Sequence, residues 1–262
     1  PRKVPSLVCP THVCAVETAL PSAPPHTLTA WLHVTNACNL RCDYCYLRWS
    51  RETMCENVGL AAIDAVFRSA LANGFHAVKL KYAGGEPALC WPLVRALHKR
   101  AQMLAAQSYI DLRAVVLSNG TMLTDEMLLW LRDEGVRLML SLDGVGAAHD
   151  AQRPLADGRG SFARVARNID RALALGLSPH LSITVTARNA DCLADVAAFA
   201  LERDLMFNFN FVREWGLDIR HAPVDRARLI AGARAAFAVI ESALPRRRLI
   251  GGLLDRSLFA YP

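Results

Sequence analysis

Hydrophobic positions along this chain fall into two alternating periods. In "FHAVKLKYAGG" (75–85), Val78, Leu80 and Tyr82 recur at every second residue, the period of a strand with one buried side. Just before it, "NVGLAAIDAVFRSALANG" (57–74) follows the helical period, with Asn57 as N-cap and Asn73–Gly74 as stop. The alternation repeats. Strands are predicted at 28–35, 75–85, 110–120, 136–144, 180–187 and 205–212. Helices are predicted at 57–74, 91–106, 124–135, 161–176, 191–204 and 224–244. Pro92 suits the first turn of the second helix, Thr124 caps the third and Gly135 ends it. Phe162, Val165, Ile169 and Leu173 share one helix face; Leu193, Val196, Ala197, Ala200 and Leu201 share another.

Six β–α units predict an α/β fold with a parallel sheet. Right-handed crossovers with the helices on one side curl such a sheet into a full or partial barrel. "FNFNF" (207–211) suits a barrel wall, with Phe207, Phe209 and Phe211 toward the helices and Asn208 and Asn210 toward the lumen. A solvated edge strand is the other reading. Residues 1–28 hold six of the thirteen prolines and read as an extended N-terminal arm.

With 262 residues and 53% hydrophobic content, the chain can bury a large core, and this excludes intrinsic disorder. No apolar run approaches the ~18 residues of a membrane span. There is no signal-peptide core either, so a cytoplasmic protein without a membrane partner is expected. The net charge of +6 comes from scattered arginines, with one run at Arg246–Arg248. There is no basic stripe with aromatic platforms, so a nucleic-acid partner is not expected.

The eight cysteines are unevenly placed. Cys55, Cys90 and Cys192 stand alone and read as buried structural thiols. Cys9 and Cys14, with His12 between them, are either a second metal site or an untethered arm. "CNLRCDYC" (38–45) gathers Cys38, Cys42 and Cys45. A zinc knuckle, half a disulfide framework and an iron–sulfur site are the candidates. Structural zinc and ferredoxin-type clusters take four protein ligands, and this loop has three. Three thiolates can hold three irons of a cubane and leave the fourth open.

The cysteine loop follows the first strand. "GGEP" (84–87) follows the second, "SNGT" (118–121) the third and "SLDG" (141–144) the fourth. These are the strand C-terminal ends, where ligands bind in parallel α/β folds.

The CxxxCxxC spacing, with aromatic Tyr44 before the third cysteine, resembles the signature of radical S-adenosylmethionine (radical SAM) enzymes. "GGEP", "SNG", "SLDG" and "HDAQRPLADGRGSF" (149–162) resemble turns of its SPASM-type peptide- and protein-modifying maturase branch. The likeness covers roughly residues 28–244. It implies a partial (β/α)6 TIM-like barrel in which Cys38, Cys42 and Cys45 ligate one [4Fe-4S] cluster. It further implies that the open iron binds S-adenosylmethionine, whose reductive cleavage yields a 5′-deoxyadenosyl radical that abstracts a hydrogen from substrate.

By the same resemblance, Tyr44 lies near the adenine. Gly84 and Gly85 let the backbone approach the cofactor, and the turn with Glu86 binds the methionyl ammonium, its exit fixed by Pro87. Ser118, Ser141 and Asp143 make ribose or carboxylate contacts, Arg153 clamps the methionyl carboxylate, and the backbone around Thr184 and Val185 borders the adenine. A surface salt bridge is the plain alternative for Arg153.

The expected division is an arm (1–28), a radical SAM core (29–245) and the start of a linker or truncated C-terminal extension (246–262). The expected partners are a peptide or protein substrate and an electron donor such as flavodoxin or ferredoxin. An RNA or small-metabolite substrate, or a non-catalytic electron-transfer protein, remain alternatives.

Overall fold

In a computed structural model, the structure describes residues 26–212 and 225–243. Six strands run in chain order through one sheet: β1 Thr27–His33, β2 Ala77–Ala83, β3 Asp111–Ser118, β4 Arg137–Ser141, β5 His180–Val185 and β6 Phe207–Phe211. Every neighbouring pair is parallel. Among the described residues β1 and β6 are not paired with each other, so the curled sheet is a half-barrel. The connecting helices are α1 Glu56–Ala72, α2 Trp91–Ser108, α3 Asp125–Asp133, α4 Ala147–Gln152, α5 Phe162–Ala174, α6 Leu193–Glu202 and α7 Arg226–Ala243.

The period-two pattern decides which way each strand faces. Val78, Leu80 and Tyr82 are fully buried in one apolar core with Leu138, Leu140, Leu181 and Ile183. Phe67 of α1, Leu97 of α2, Ile169 of α5 and Val196 of α6 fill the same layer. The alternate side chains line the concave side and keep solvent contact, as with Lys79, Lys81, Ser182 and Asn208. "FNFNF" follows this rule, with Asn208 bonded to His180 (2.7 Å) and Asn210 to Ser182 (2.9 Å) on the concave face. Its apolar side is only partly covered, since Phe211 at the rim is 53% exposed.

The Thr124 hydroxyl accepts from Met127 N at 3.3 Å, and Gly135 takes a positive φ of 64°. Asn57 is not the N-cap of α1; that position belongs to Cys55, and the helix begins at Glu56. Cys55 is exposed rather than buried, while Cys90 and Cys192 are half-buried. The arm with Cys9, His12 and Cys14, and the segment 246–262, lie outside the described residues. Among the described residues no helix is long and apolar enough to cross a membrane.

Candidate functional site

The cysteine loop leaves the end of β1 and is clasped by chain segments from both sides. On one side the β2 turn reaches it: Gly85 N donates to Thr35 O (2.7 Å) and Glu86 N to Ala37 O (2.9 Å). On the other, residues 152–156 form an antiparallel rail. Arg41 N donates to Pro154 O (2.9 Å), Asp43 N to Gln152 O (3.3 Å) and Ala156 N to Asn39 O (2.9 Å). Leu40 and Leu155 bridge at its centre, and both are buried with Cys42 in a small apolar cluster that Cys38, Tyr44 and Cys45 join.

The glycines also serve a close approach within the chain itself. A Cβ on Gly85 would lie 2.2 Å from Ala37 O, and one on Gly84 2.4 Å from Thr35 O. Gly84 also holds φ at +153°, which L side chains rarely adopt. The close approach they permit is first of all that of the cysteine loop to β2.

Glu86 is likewise committed to the frame. It is fully buried and accepts from Ala88 N (3.0 Å), Ser118 Oγ (2.8 Å) and Asn119 N (2.6 Å). Burial raises its pKa, against the lowering effect of these donors. It ties the second rim turn to the third. Ser118 is occupied too, donating to Glu86 and accepting from Gly120 N (3.0 Å). Pro87 is buried at the start of the short 3-10 turn Pro87–Cys90. Asn119, unassigned from sequence, reaches the loop directly. Its Nδ2 donates to Asn39 Oδ1 (2.9 Å) and contacts Cys38 Sγ at 3.8 Å, while Asn39 Nδ2 donates to Thr121 Oγ1 (2.7 Å).

The fourth turn holds the far end of the loop. Asp143 is fully buried; its Oδ1 accepts from Thr184 N (2.8 Å), and its Oδ2 accepts from Tyr44 OH and from Arg153 Nη1 (3.4 Å). Arg153 Nη1 also donates to Tyr44 OH. Tyr44 is thus anchored through its hydroxyl, and Arg153, 7% exposed, is no surface salt bridge. Burial opposes the charge on Arg153, but Tyr44, Cys42 and Asp143 outweigh it and keep the guanidinium protonated.

Beneath lies a second relay that sequence reasoning missed. Asp143 N donates to His149 Nδ1 (3.2 Å). That fixes the proton on Nε2, which faces Ser161 Oγ at 3.0 Å, and Ser161 Oγ donates to Arg153 O at 2.5 Å. Burial, helped by Arg153, pushes the His149 pKa down to about 3. Asn189 Nδ2 completes the joint, donating to Asp143 O (2.6 Å) and Thr184 O (2.8 Å). His149 and Ser161 lie in the "HDAQRPLADGRGSF" stretch, which gave neither an individual role, and Asn189 lies outside every recognised turn.

The Val185 side chain is 1% exposed and packs in the apolar core, which leaves its backbone as the part at the strand end. Ser141 and Thr184 stand on the concave side near the rim. Among the described residues their hydroxyls have no side-chain partner, so they remain available to a ligand.

A sequence model of the Radical SAM superfamily matches residues 32–200, well over half of the chain. The chain belongs to the radical SAM superfamily. It is 31% identical over 140 residues to the serine-type anaerobic sulfatase-maturating enzyme of Klebsiella aerogenes, covering 51% of this chain and 34% of that protein. It is 33% identical over 183 residues to the GTP 3′,8-cyclase of Geobacter sulfurreducens, covering 68% of this chain and 53% of that one. The chain thus spans between a third and about half of the length of these relatives. The solved structure of native anSMEcpe with bound AdoMet and Cp18Cys peptide shares its fold, with TM-score 0.76, 19% identity, and 88% of this chain and 66% of that chain covered.

Radical SAM proteins use a [4Fe-4S] cluster and S-adenosylmethionine, and the cysteine loop fits that donor requirement. Cys38 and Cys45 pack against the small cluster that buries Cys42, which brings the three thiols into one neighbourhood. Yet among the described residues no group of three His, Cys, Asp or Glu is gathered around one point as a single ion demands. Thiolates that each bind a different iron sit farther apart than ligands about 2.3 Å from one zinc. Burial lifts the Cys42 thiol to about 11 and raises Cys38 as well, so iron must displace protons to bind.

Proposed function

We propose that the chain cleaves S-adenosylmethionine reductively and uses the resulting radical to abstract hydrogen from a peptide or protein side chain. The observation that carries this reading is convergence. The three other rim turns, after β2, β3 and β4, all hydrogen-bond to a single loop carrying three thiols. A zinc knuckle needs no such frame.

Cys38, Cys42 and Cys45 would hold the cluster, and bound S-adenosylmethionine would supply the 5′-deoxyadenosyl radical. The chain's own part is positional. Asn119 and Asn39 fix the Cys38 end of the loop, and Tyr44 with Asp143 and Arg153 fixes the Cys45 end. The hydroxyls of Ser141 and Thr184 remain free to orient the ligand on the concave side. Leu40 and Leu155 exclude water beside Cys42.

A peptide substrate is favoured by likeness to a sulfatase-maturating enzyme and to a structure holding a peptide. An open edge adds to this: among the described residues β6 pairs with β5 alone, and a free edge can take an extended chain. The likeness to a GTP cyclase supports a second reading, a small-metabolite substrate. Flavodoxin or ferredoxin would deliver the electron in either case.

The test is anaerobic reconstitution followed by addition of strong reductant, S-adenosylmethionine and the peptide encoded nearest the gene. Mass spectrometry should show 5′-deoxyadenosine together with an altered peptide mass. Formation of 5′-deoxyadenosine only with a metabolite would replace the first reading with the second.

A further inference from the structure

The concave face carries a cluster of like charges that the cofactor frame does not use. Lys79 and Lys81 project there from β2, Arg113 from β3 and Arg137 from β4. Lys79 stands directly opposite Arg113, on strands that neighbour one another at about 4.8 Å. Arg137 pairs in register with Val115, two residues beyond Arg113, so all three charges crowd one corner. Arg137, Lys81 and Arg113 each make Lys79 harder to protonate, in addition to the larger effect of its burial.

Countercharge is scarce. Asp111 pairs with Arg113 at 2.8 Å, but among the described residues no carboxylate pairs with Lys79, Lys81 or Arg137. Lys81 instead lies 4.5 Å from the centre of the Trp31 ring, which is 57% exposed on the same face. The remaining segments are not acidic in sequence. Residues 1–25 carry Glu17 against Arg2 and Lys3, and 245–262 carry Asp255 against four arginines. Residues 213–224 are balanced, and a second copy would bring a further +6. Cross-strand repulsion gains the fold nothing, so this face is built for an anionic visitor.

Its form favours carboxylates over phosphates. Phosphate cradles converge backbone N–H groups from glycine loops or helix N-termini. Here the strand N–H groups are engaged in the ladder, and the cations are separate side chains. Lys79 and Lys81 repeat at about 6.6 Å along β2, the spacing of alternate side chains in an extended peptide.

We propose that this face docks an extended acidic segment of the substrate, with Asp or Glu at alternate positions. The proposal rests on the peptide reading above and adds the substrate's charge and place. Lys79 lies four residues before the end of β2, about 13 Å below the rim. An extended segment spans that distance in about four residues, so the acidic positions should fall some four residues from the modified side chain.

The test is fluorescence anisotropy on the cluster-loaded full chain without reductant. The probes are a labelled ten-residue peptide with alternating Glu and its Gln counterpart. The Glu peptide should bind at least about tenfold tighter, and binding should weaken severalfold as salt rises from about 50 to 300 mM. Lys79→Gln with Arg137→Gln should cost about tenfold in affinity, and Lys81→Gln should cost less. Because the substitutions relieve repulsion, the melting temperature should hold or rise.

Equal binding of the Glu and Gln peptides would overturn the proposal. So would a fall in melting temperature, which would make the cations structural, or displacement of the peptide by far less inorganic triphosphate than peptide, which would point to a phosphorylated metabolite. Peptide binding without any 5′-deoxyadenosine in the separate turnover assay would leave this docking intact and sink only the radical reading.

Discussion

At the rim of the half-barrel, Glu86 and Asp143 each accept three hydrogen bonds through their carboxylates and have no contact with solvent. Lower on the same sheet, Lys79, Lys81 and Arg137 face the concave side with no carboxylate partner among the described residues. The two regions show what polar residues do in one scaffold. Buried acids with full sets of donors make a rigid platform, because each donor left unpaired there is costly. Unpaired cations in contact with solvent add no rigidity and are kept for something outside the chain. The carboxylates of the rim motifs are thus architecture, and apart from Ser141 and Thr184 the polar side chains left unpaired on the concave face lie where no motif pointed.

Breaking the platform should have the largest effect. Gly85→Val drives a side chain into Ala37 O, and the cysteine loop must move. Loss of both iron and S-adenosylmethionine binding is expected in reconstituted protein, measured by iron content and by titration. A variant that loads iron normally would show that the glycine is not what seats the loop. Next in size is Glu86→Ala, which leaves the donors on Ala88, Ser118 and Asn119 without their acceptor. A loss of about 3 kcal/mol or more in urea unfolding is expected.

A smaller effect is carried by pH. His149 is neutral in the folded protein, with a pKa near 3 against about 6.5 when unfolded. The unfolded chain therefore binds the extra proton between those values, and stability is full above about pH 6.5 and falls as the pH drops toward 3. Between pH 7.5 and 5.5 the histidine should account for about 1.3 kcal/mol of lost stability. His149→Gln should flatten that part of the pH profile, even if it lowers stability at every pH. The smallest effect sharpens the contrast with the lumen: Lys79→Gln should change stability by no more than about 0.5 kcal/mol, and not downward.

The fold was legible because burial in a (β/α) repeat is periodic. The alternation of Val78, Leu80 and Tyr82 requires one face inward, whatever the rest of the chain does. The cysteine loop stood out as a candidate site because three thiols fall within eight residues at the end of a strand. The jobs of the surrounding residues were not. Glu86 in "GGEP" reads as a ligand contact, and nothing local reveals that its three donors lie two and about thirty residues away. His149, Ser161 and Asn189 act only through contacts set by tertiary packing. The lumen cations were hidden for another reason. They are spread over three strands, and only the register places Lys79 beside Arg113.

The central claim is that Cys38, Cys42 and Cys45 hold a cluster with one iron open to S-adenosylmethionine. Electron paramagnetic resonance of the reduced, reconstituted chain, recorded with and without S-adenosylmethionine, tests it most directly. The account predicts a [4Fe-4S] signal that shifts when the cofactor is added, and no signal in Cys38→Ala, Cys42→Ala or Cys45→Ala. A cluster spectrum unchanged by S-adenosylmethionine, or zinc bound in place of iron, would contradict it.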